Sequence, residues 1–365
     1  MPARARMPLA AVMAALLLAL TGCQSDAQAG SSAEGVRLAE VEIASTPRDL
    51  EGPSTAVLPE LDIEPVTRWP DPELPATVTD AQGTQTVVHD VSRILALDLH
   101  GTLARTVFEL GLGENVVGRD TSSSFPEIAD RPLVTANGHQ LNAEAILELG
   151  PSVIITDTTL GPWDVLLQMR EAGIPVVVLD AHRSVDNAGD LIRQVAGALG
   201  LPGPGAELAE RTETEIAGAL EEIAAIAPTG EDRLRMLFLY ARGQANTYYL
   251  FGTGSGADQL IEGIGGIDVA TEIGWQGMQP MTDEALISAR PDLVIMMTSG
   301  LESVGGVDGL LTSVPALALT PAGEQRRVVD MADAEVLAFG PLTAGVLEAM
   351  AVAAYSPAAL AEVAP

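Results

Sequence analysis

Hydrophobic and polar residues follow the same order in two separate stretches of the chain. Residues 141–155 align without a gap on residues 281–295. In each copy a polar cap residue precedes a short amphipathic segment, and a proline and an apolar run follow it. This order predicts a capped helix and then a buried strand. A second pair of apolar runs, residues 93–97 and 235–239, lies at nearly the same offset. The repeat therefore predicts two similar α/β lobes facing a cleft, which is where ligands commonly bind.

The apolar and polar pattern outside the repeat predicts the architecture of the whole chain. Apolar runs alternate with helical periodicity in residues 86–200 and again in residues 231–357. Such alternation is typical of Rossmann-like lobes with a central parallel sheet. Between them, within residues 201–230, a Pro-Gly-Pro-Gly break precedes an uninterrupted helical run from residue 206 to residue 227. The sequence thus predicts an α/β protein with two lobes joined by one long linking helix.

The N-terminus has the pattern of a secretion signal. Arg4 and Arg6 precede an apolar run of 14 residues, which is too short to span a bilayer. Leu-Thr-Gly before Cys23 matches a bacterial lipoprotein cleavage site, so we expect residues 1–22 to be removed and Cys23 to be lipidated. The alternative is an ordinary signal peptide with an incidental cysteine. Cys23 is the only cysteine of the chain, which excludes an intramolecular disulfide and a zinc–thiolate site.

Residues 23–85 are rich in proline, serine and acidic residues and show little periodicity. This composition predicts a disordered tether between a lipid anchor and the folded lobes. We therefore expect the protein on the extracytoplasmic face of the cell membrane. The formal net charge of −31 would repel nucleic acid phosphates and anionic lipid, so nucleic acid is excluded as a partner.

Three residues near predicted strand ends are the main ligand candidates. His139 lies in a glycine-containing loop just before the helix of the first repeat, where it is either a metal or haem-iron ligand or a plain loop histidine. Tyr240 and Arg242 end the first strand of the second lobe and share one face of it. The guanidinium would favour an ionised phenol, a hard oxygen donor of the kind that ligates ferric haem. The alternative is a solvated tyrosine beside a surface arginine.

Other residues provide alternatives at the same cleft. Met297 ends the second repeat's strand and would either pack on a porphyrin or belong to the core. His100 is an alternative ligand or a neighbour of one, and Tyr248 and Tyr249 are alternatives to Tyr240. The chain has no nucleophile elbow, no His-Glu-x-x-His motif and no catalytic cysteine, so we expect a binding protein and not an enzyme.

Residues 90–355 resemble a known family. The segments Asn137–Glu144 and Leu239–Gly243, together with the Cys23 signal and the linking helix, are similar to the haemin-binding lipoproteins of ABC importers, in the rigid-helix class of substrate-binding proteins. Two shorter segments, Gly101–Leu103 and Gly111–Gly113, add to this resemblance.

The resemblance implies the roles of particular residues. His139 and Tyr240 would ligate haem iron from opposite faces, Arg242 would bond the phenolate, and Met297 would lie near the haem. Glu127 and Glu262 match the glutamates, one per lobe, that dock on the permease. It further implies haem b as the transported ligand, an ABC permease and ATPase as partners, and a monomer.

The residues alone leave alternative ligands and roles for the protein. A ferric siderophore or cobalamin would call for aromatic walls, and aromatic residues make up only 3% of the chain. A bare manganese or zinc carrier would need three or four clustered ligands, which four scattered histidines fit poorly. A haem-binding surface lipoprotein or sensor without a transport role is a further alternative.

Overall fold

Each half of the chain folds around its own β-sheet, and one long helix connects the halves. The structure is a computed structural model, and it describes residues 35–59, 62–243 and 248–361. Strands and helices alternate through both lobes, which confirms the α/β architecture predicted from the repeat. The signal peptide and Cys23 lie outside the described residues.

The segment that precedes the first lobe is folded. It contains the strands β1 (Ser54–Ala56), β2 (Ala76–Thr79) and β3 (Gln85–Val88), of which the last two form an antiparallel hairpin. The prediction of a disordered tether over residues 23–85 is therefore wrong for the described part that begins at residue 35. Residues 23–34 lie outside that part.

Irregularly spaced apolar residues hold this N-terminal segment in place. Leu38 and Leu58 are buried in the core of the second lobe, whereas Val66 and Leu74 pack against the core of the first. The spacing of these residues follows neither the strand period nor the helix period, and prolines separate them, so periodicity gave no sign of order. Its described residues contact both lobes, and we call residues 35–59 and 62–75 the strap.

The first lobe contains a parallel sheet whose strands are buried along their whole length, as expected for a sheet covered on both faces. The strand order is β4-β7-β8, and Val116 adds a parallel bridge to Ile94. Its elements in chain order are β4 (Ile94–Leu97), α1 (Thr102–Glu109), β5 (Thr135–Ala136), β6 (Gln140–Leu141), α2 (Ala143–Leu149), β7 (Val153–Thr156), α3 (Trp163–Glu171), β8 (Val176–Val178) and α4 (Ala188–Ala198).

The linking helix α5 (Pro202–Ile226) begins within the predicted Pro-Gly-Pro-Gly break. Proline is accommodated in a first helical turn, because the N–H groups there have no acceptor within the helix. The interpretation of residues 202–205 as a break outside the helix is therefore wrong. At 1.5 Å per residue, the 25 residues of α5 span about 37 Å.

The second lobe contains a larger, mixed sheet of order β1-β14-β13-β9-β10-β12, with β11 also pairing with β9. The pairs β14–β13 and β13–β9 are parallel, and β10 and β12 add an antiparallel edge. The strand of the strap, β1, extends the opposite edge. The elements are β9 (Arg235–Ala241), β10 (Tyr248–Phe251), α6 (Ala257–Gly263), β11 (Ile267–Asp268), α7 (Val269–Glu272), β12 (Met278–Pro280), α8 (Asp283–Ala289), β13 (Leu293–Met297), α9 (Thr298–Ser303), α10 (Gly306–Ser313), α11 (Pro321–Glu324), β14 (Val328–Met331), α12 (Thr343–Tyr355) and α13 (Pro357–Ala361).

The two repeat copies fold in the same way. Asn142 caps α2 by accepting from the N–H groups of Glu144 and Ala145, and Thr282 caps α8 by accepting from that of Ala285. Both helices end in a residue with left-handed backbone, and a buried strand follows each of them. Capping and pattern together thus produced a correct local prediction.

No helix in the described part of the chain is both long enough and apolar enough to cross a membrane.

Candidate functional site

Residues from both lobes line one cavity of about 380 Å³. The first lobe contributes the loop that contains His139, and the second contributes Tyr240 and Arg242. The structure therefore brings together the three residues that the sequence singled out. The other lining residues are Thr121, Ser122, Ser124, Gly138, Ser299, Gly300, Ala332, Asp333 and Ala334.

His139 lies on the tip of a short hairpin. The strands β5 and β6 pair Thr135 with Leu141 and Ala136 with Gln140, so residues 137–139 form the connection. Asn137 and Gly138 have φ angles of 49° and 89°, a left-handed conformation that asparagine and glycine adopt most readily. The tight turn leaves the imidazole exposed at the edge of the cavity.

Tyr240 is held on the opposite side by β9. Its ring is half-buried and lies 6.4 Å, centroid to centroid, from that of Phe251, which packs in turn on Phe238. Arg242 donates from Nη1 to the phenolic oxygen over 3.4 Å, and this bond raises the pKa of Arg242. Asp333, which lines the same cavity, adds to the rise. The arrangement places a cation where it would stabilise a phenolate.

The two alternative tyrosines differ in their environment. Tyr248 donates its hydroxyl to Asp283 over 2.6 Å, and burial and that carboxylate raise the pKa of Tyr248. It is thus a poor source of a phenolate. Tyr249 pairs directly with Tyr240 across β9 and β10, so both side chains project from the same face. Tyr249 remains an alternative oxygen donor on geometric grounds.

His100 lies in an adjoining cavity of about 260 Å³, which shares Ser122, Ser124 and Ala334 with the first. Burial and the nearby charge of Arg183 lower the pKa of His100 to about 4. Its imidazole is therefore neutral at physiological pH. Met297 is half-buried against the core of the second lobe, which is one of its two expected placements, and it is not among the lining residues of these two cavities.

The two predicted docking glutamates lie on separate lobes and are both exposed. Glu127 belongs to a short 3₁₀ turn, and its Oε1 accepts from the backbone N–H of Ile63 in the strap over 3.4 Å. Glu262 lies on α6.

Sequence reasoning missed a buried charged cluster beneath the site. Asp98 and Asp157 directly follow β4 and β7, and Arg183 lies 2.6 Å from Asp157 and 3.9 Å from Asp98. Asp120 accepts from the backbone N–H groups of Asp98 and Ser123. Burial raises the pKa of all three aspartates, to about 7 for Asp120, where Asp98 adds to the effect. The signal was present, because an aspartate directly after two buried strands must lie at the sheet edge that faces the cleft.

Comparison with known families identifies the fold. The model of the family described as "Periplasmic binding protein" matches residues 99–335. The chain belongs to the periplasmic binding protein family.

Solved structures related to this periplasmic binding protein include the heme binding protein HmuT. The two are 44% identical, with a TM-score of 0.80 over 85% of this chain and 99% of HmuT. HmuT has also been solved as alanine variants at a tyrosine, an arginine and a histidine. The periplasmic heme-binding protein RhuT of Roseiflexus sp. RS-1 is 38% identical, with a TM-score of 0.67 over 74% of this chain and 100% of RhuT.

A curated relative of this periplasmic binding protein comes from Bacillus subtilis (strain 168). It is the uncharacterized ABC transporter substrate-binding lipoprotein YvrC, which is 22% identical over 63% of this chain and 71% of YvrC.

Proposed function

We propose that this protein is the extracytoplasmic haem-binding component of an ABC importer. It would capture ferric haem between its lobes and deliver it to a membrane permease. The observation that carries the proposal is one imidazole and one phenol, from opposite lobes, lining a single cavity. The similarity to HmuT and RhuT, both described as heme-binding proteins, supports it.

The chemistry of the cavity suits an iron porphyrin. His139 offers a nitrogen ligand and Tyr240 an oxygen ligand, and both are known types of axial haem ligand. Arg242, which donates to the phenolic oxygen, would compensate the negative charge of a phenolate bound to ferric iron, for which a phenolate is a suitable hard donor. The adjoining cavity that contains His100 extends the available volume along the cleft. Most of the surface that lines it is apolar, and Phe125, Pro126 and Leu342 contribute to this apolar wall. Such apolar walls suit the flat face of a porphyrin.

Attachment and delivery belong to the same proposal. A lipid on Cys23 would hold the protein at the membrane surface, and the exposed Glu127 and Glu262 would contact the permease, one from each lobe. Haem b would be the cargo, the protein would act as a monomer, and its role would be binding without turnover.

A titration with hemin tests the ligand set. Wild-type protein should give the absorption and electron paramagnetic resonance spectra of six-coordinate ferric haem with histidine and tyrosinate ligands. His139→Ala and Tyr240→Phe should each lose one ligand, and the double variant should lose at least 100-fold in affinity, equivalent to about 2.7 kcal/mol. An unchanged spectrum and affinity in the double variant would refute the ligand assignment.

Matched controls separate the alternatives. Tyr249→Phe makes the same chemical change on the neighbouring strand, and His100→Ala removes the other cleft histidine; both should keep the wild-type spectrum. If the spectrum instead changes with Tyr249 or His100, that residue is the ligand. Preferential binding of cobalamin or a ferric siderophore in competition with hemin would replace haem as the cargo.

A further inference from the structure

The hairpin that carries His139 is short and needs support from outside itself. Two consecutive residues, Asn137 and Gly138, have positive φ angles, and the flanking strands contain only two residues each. A hairpin this short contributes little stability by itself. A ligand imidazole must nevertheless be held in one orientation, so contacts from outside the hairpin should fix it.

Thr121 supplies such contacts from a neighbouring loop. Its hydroxyl donates to the carbonyl oxygen of Gly138 over 2.7 Å. Its backbone N–H donates to Oγ1 of Thr135 over 3.1 Å, and the two hydroxyl oxygens are 2.8 Å apart. Thr121 thus touches both the first strand of the hairpin and its turn.

The number of protons fixes the direction of these bonds. A threonine hydroxyl has one hydrogen, and that of Thr121 points to the carbonyl of Gly138. The Thr135 hydroxyl must therefore donate to Thr121, while its oxygen accepts the N–H of Thr121. The result is one directed chain from the Thr121 N–H through both hydroxyls to the carbonyl just before His139.

We propose that Thr121 is a positioning residue for His139, which holds the Gly138 carbonyl and thereby the direction of the imidazole towards the cavity. This inference rests on the proposed function, because it gives His139 its role as an iron ligand. Thr121 itself lines the cavity, so a bound ligand would shield its bond to Gly138 from water. Hydrogen bonds are stronger where water is excluded.

Thr121→Val tests the proposal, because valine keeps the shape of threonine and removes the hydroxyl. We expect a 3- to 10-fold weaker hemin affinity, in line with the loss of one hydrogen bond, and a partial conversion from low-spin to high-spin ferric haem. Thr121→Ser should restore the wild-type spectrum. Thr312→Val makes the same chemical change at an exposed position on α10, outside both cavities, and should leave the spectrum unchanged.

A second measurement needs no haem. In the unliganded protein, hydrogen exchange in a peptide covering residues 134–142 should be faster in Thr121→Val than in wild type, and Thr121→Ser should restore it. The proposal is overturned if Thr121→Val matches wild type in both exchange and spin state, or if serine fails to restore them. Wild-type protein without a His139-dependent spectrum would instead overturn the proposed function, while the exchange result would still stand on its own.

Discussion

Asp120 is a buried carboxyl group with a strongly shifted pKa. Its carboxyl group is fully buried beside Asp98, which lies 3.9 Å from Arg183, and Arg183 pairs with Asp157. One arginine cannot compensate three carboxylates, so burial favours protonated forms, and the pKa of Asp120 is raised to about 7 from its ordinary 3.8. His100 faces the same cluster and is shifted in the opposite sense, towards the neutral imidazole.

These shifts predict how stability depends on pH. Between pH 4 and 7 the folded protein keeps a proton on Asp120 that the unfolded chain loses, so this group stabilises the fold at low pH and less as pH rises. His100 acts in the other direction between pH 4 and 6.5, because the unfolded chain holds its proton longer. The contribution of Asp120 must therefore be isolated by comparison with a variant.

Asp120→Asn should gain stability relative to wild type as pH rises from 5 to 8. Asparagine resembles the protonated carboxyl group and cannot titrate, so the gain approaches about 1.4 kcal/mol per pH unit below pH 7. Urea unfolding of both proteins at pH 5, 6, 7 and 8 measures it. Asp130→Asn, at an exposed position, is the control and should show no such trend. A constant difference between Asp120→Asn and wild type across this range would contradict the prediction.

For individual residues, the sequence predicted the candidate ligands that line the cavity better than the residues that support or surround them. His139, Tyr240 and Arg242 were identified because unusual residue types occur at predicted strand ends and in a glycine-containing loop, and all three line one cavity. Thr121 was missed because its function depends on a contact with Gly138 that is distant in sequence. Met297 could be assigned from its position either to the haem or to the core, and in the structure it packs against the second-lobe core.

Among the elements, α12 and the strap share an unusual connection. Arg327, at 2% exposure, donates to the carbonyls of Ala353 and Ala354 and to Oγ of Ser54, over 2.7 to 3.0 Å. No carboxylate pairs with it among the described residues, and burial lowers the pKa of Arg327 to about 10. A cation at the last turn of a helix also interacts favourably with the helix dipole.

Arg327→Met should destabilise the protein by about 2–4 kcal/mol, because the buried oxygens that it bonds would lose their donor. Chemical unfolding at pH 7 measures the effect. Arg193→Ala is the control, since Arg193 pairs with Glu213 at the surface and should cost less than about 1 kcal/mol. Equal small losses in both variants would contradict the argument.

Element prediction succeeded where local chemistry was sufficient. The two repeat helices were correct because cap, periodicity and stop signal agree in each copy. The start of α5 was predicted wrongly, because proline and glycine end helices in most contexts. Both are tolerated in the first turn of α5, where Gly205 packs against Ala196 of α4. The antiparallel edge of the second sheet was not predicted, since strand direction depends on tertiary pairing.

For the whole molecule, the strap is the main departure from the sequence prediction. It adds β1 to one edge of the second-lobe sheet and then crosses to the first lobe, where the N–H of Val66 bonds to the carbonyl of Glu109. Its order comes from burial at isolated points and from pairing with β14, which no local pattern reveals. A composition rich in proline and acidic residues is thus a poor predictor of disorder for a segment that can bury its apolar residues against already folded lobes.

Deleting residues 24–58 should destabilise the second lobe selectively. The deletion removes the buried side chains of Leu38, Ala56 and Leu58 and uncovers the edge of β14, whose free N–H and C=O groups then face water or another chain. Hydrogen exchange should therefore accelerate in β14 and α12 and stay unchanged in β4 and β7, and part of the protein should elute as dimers. Deleting residues 24–34 alone is the matched control and should alter none of these. Equal acceleration in both lobes, or none in β14, would show that the strap is not what closes this edge of the sheet.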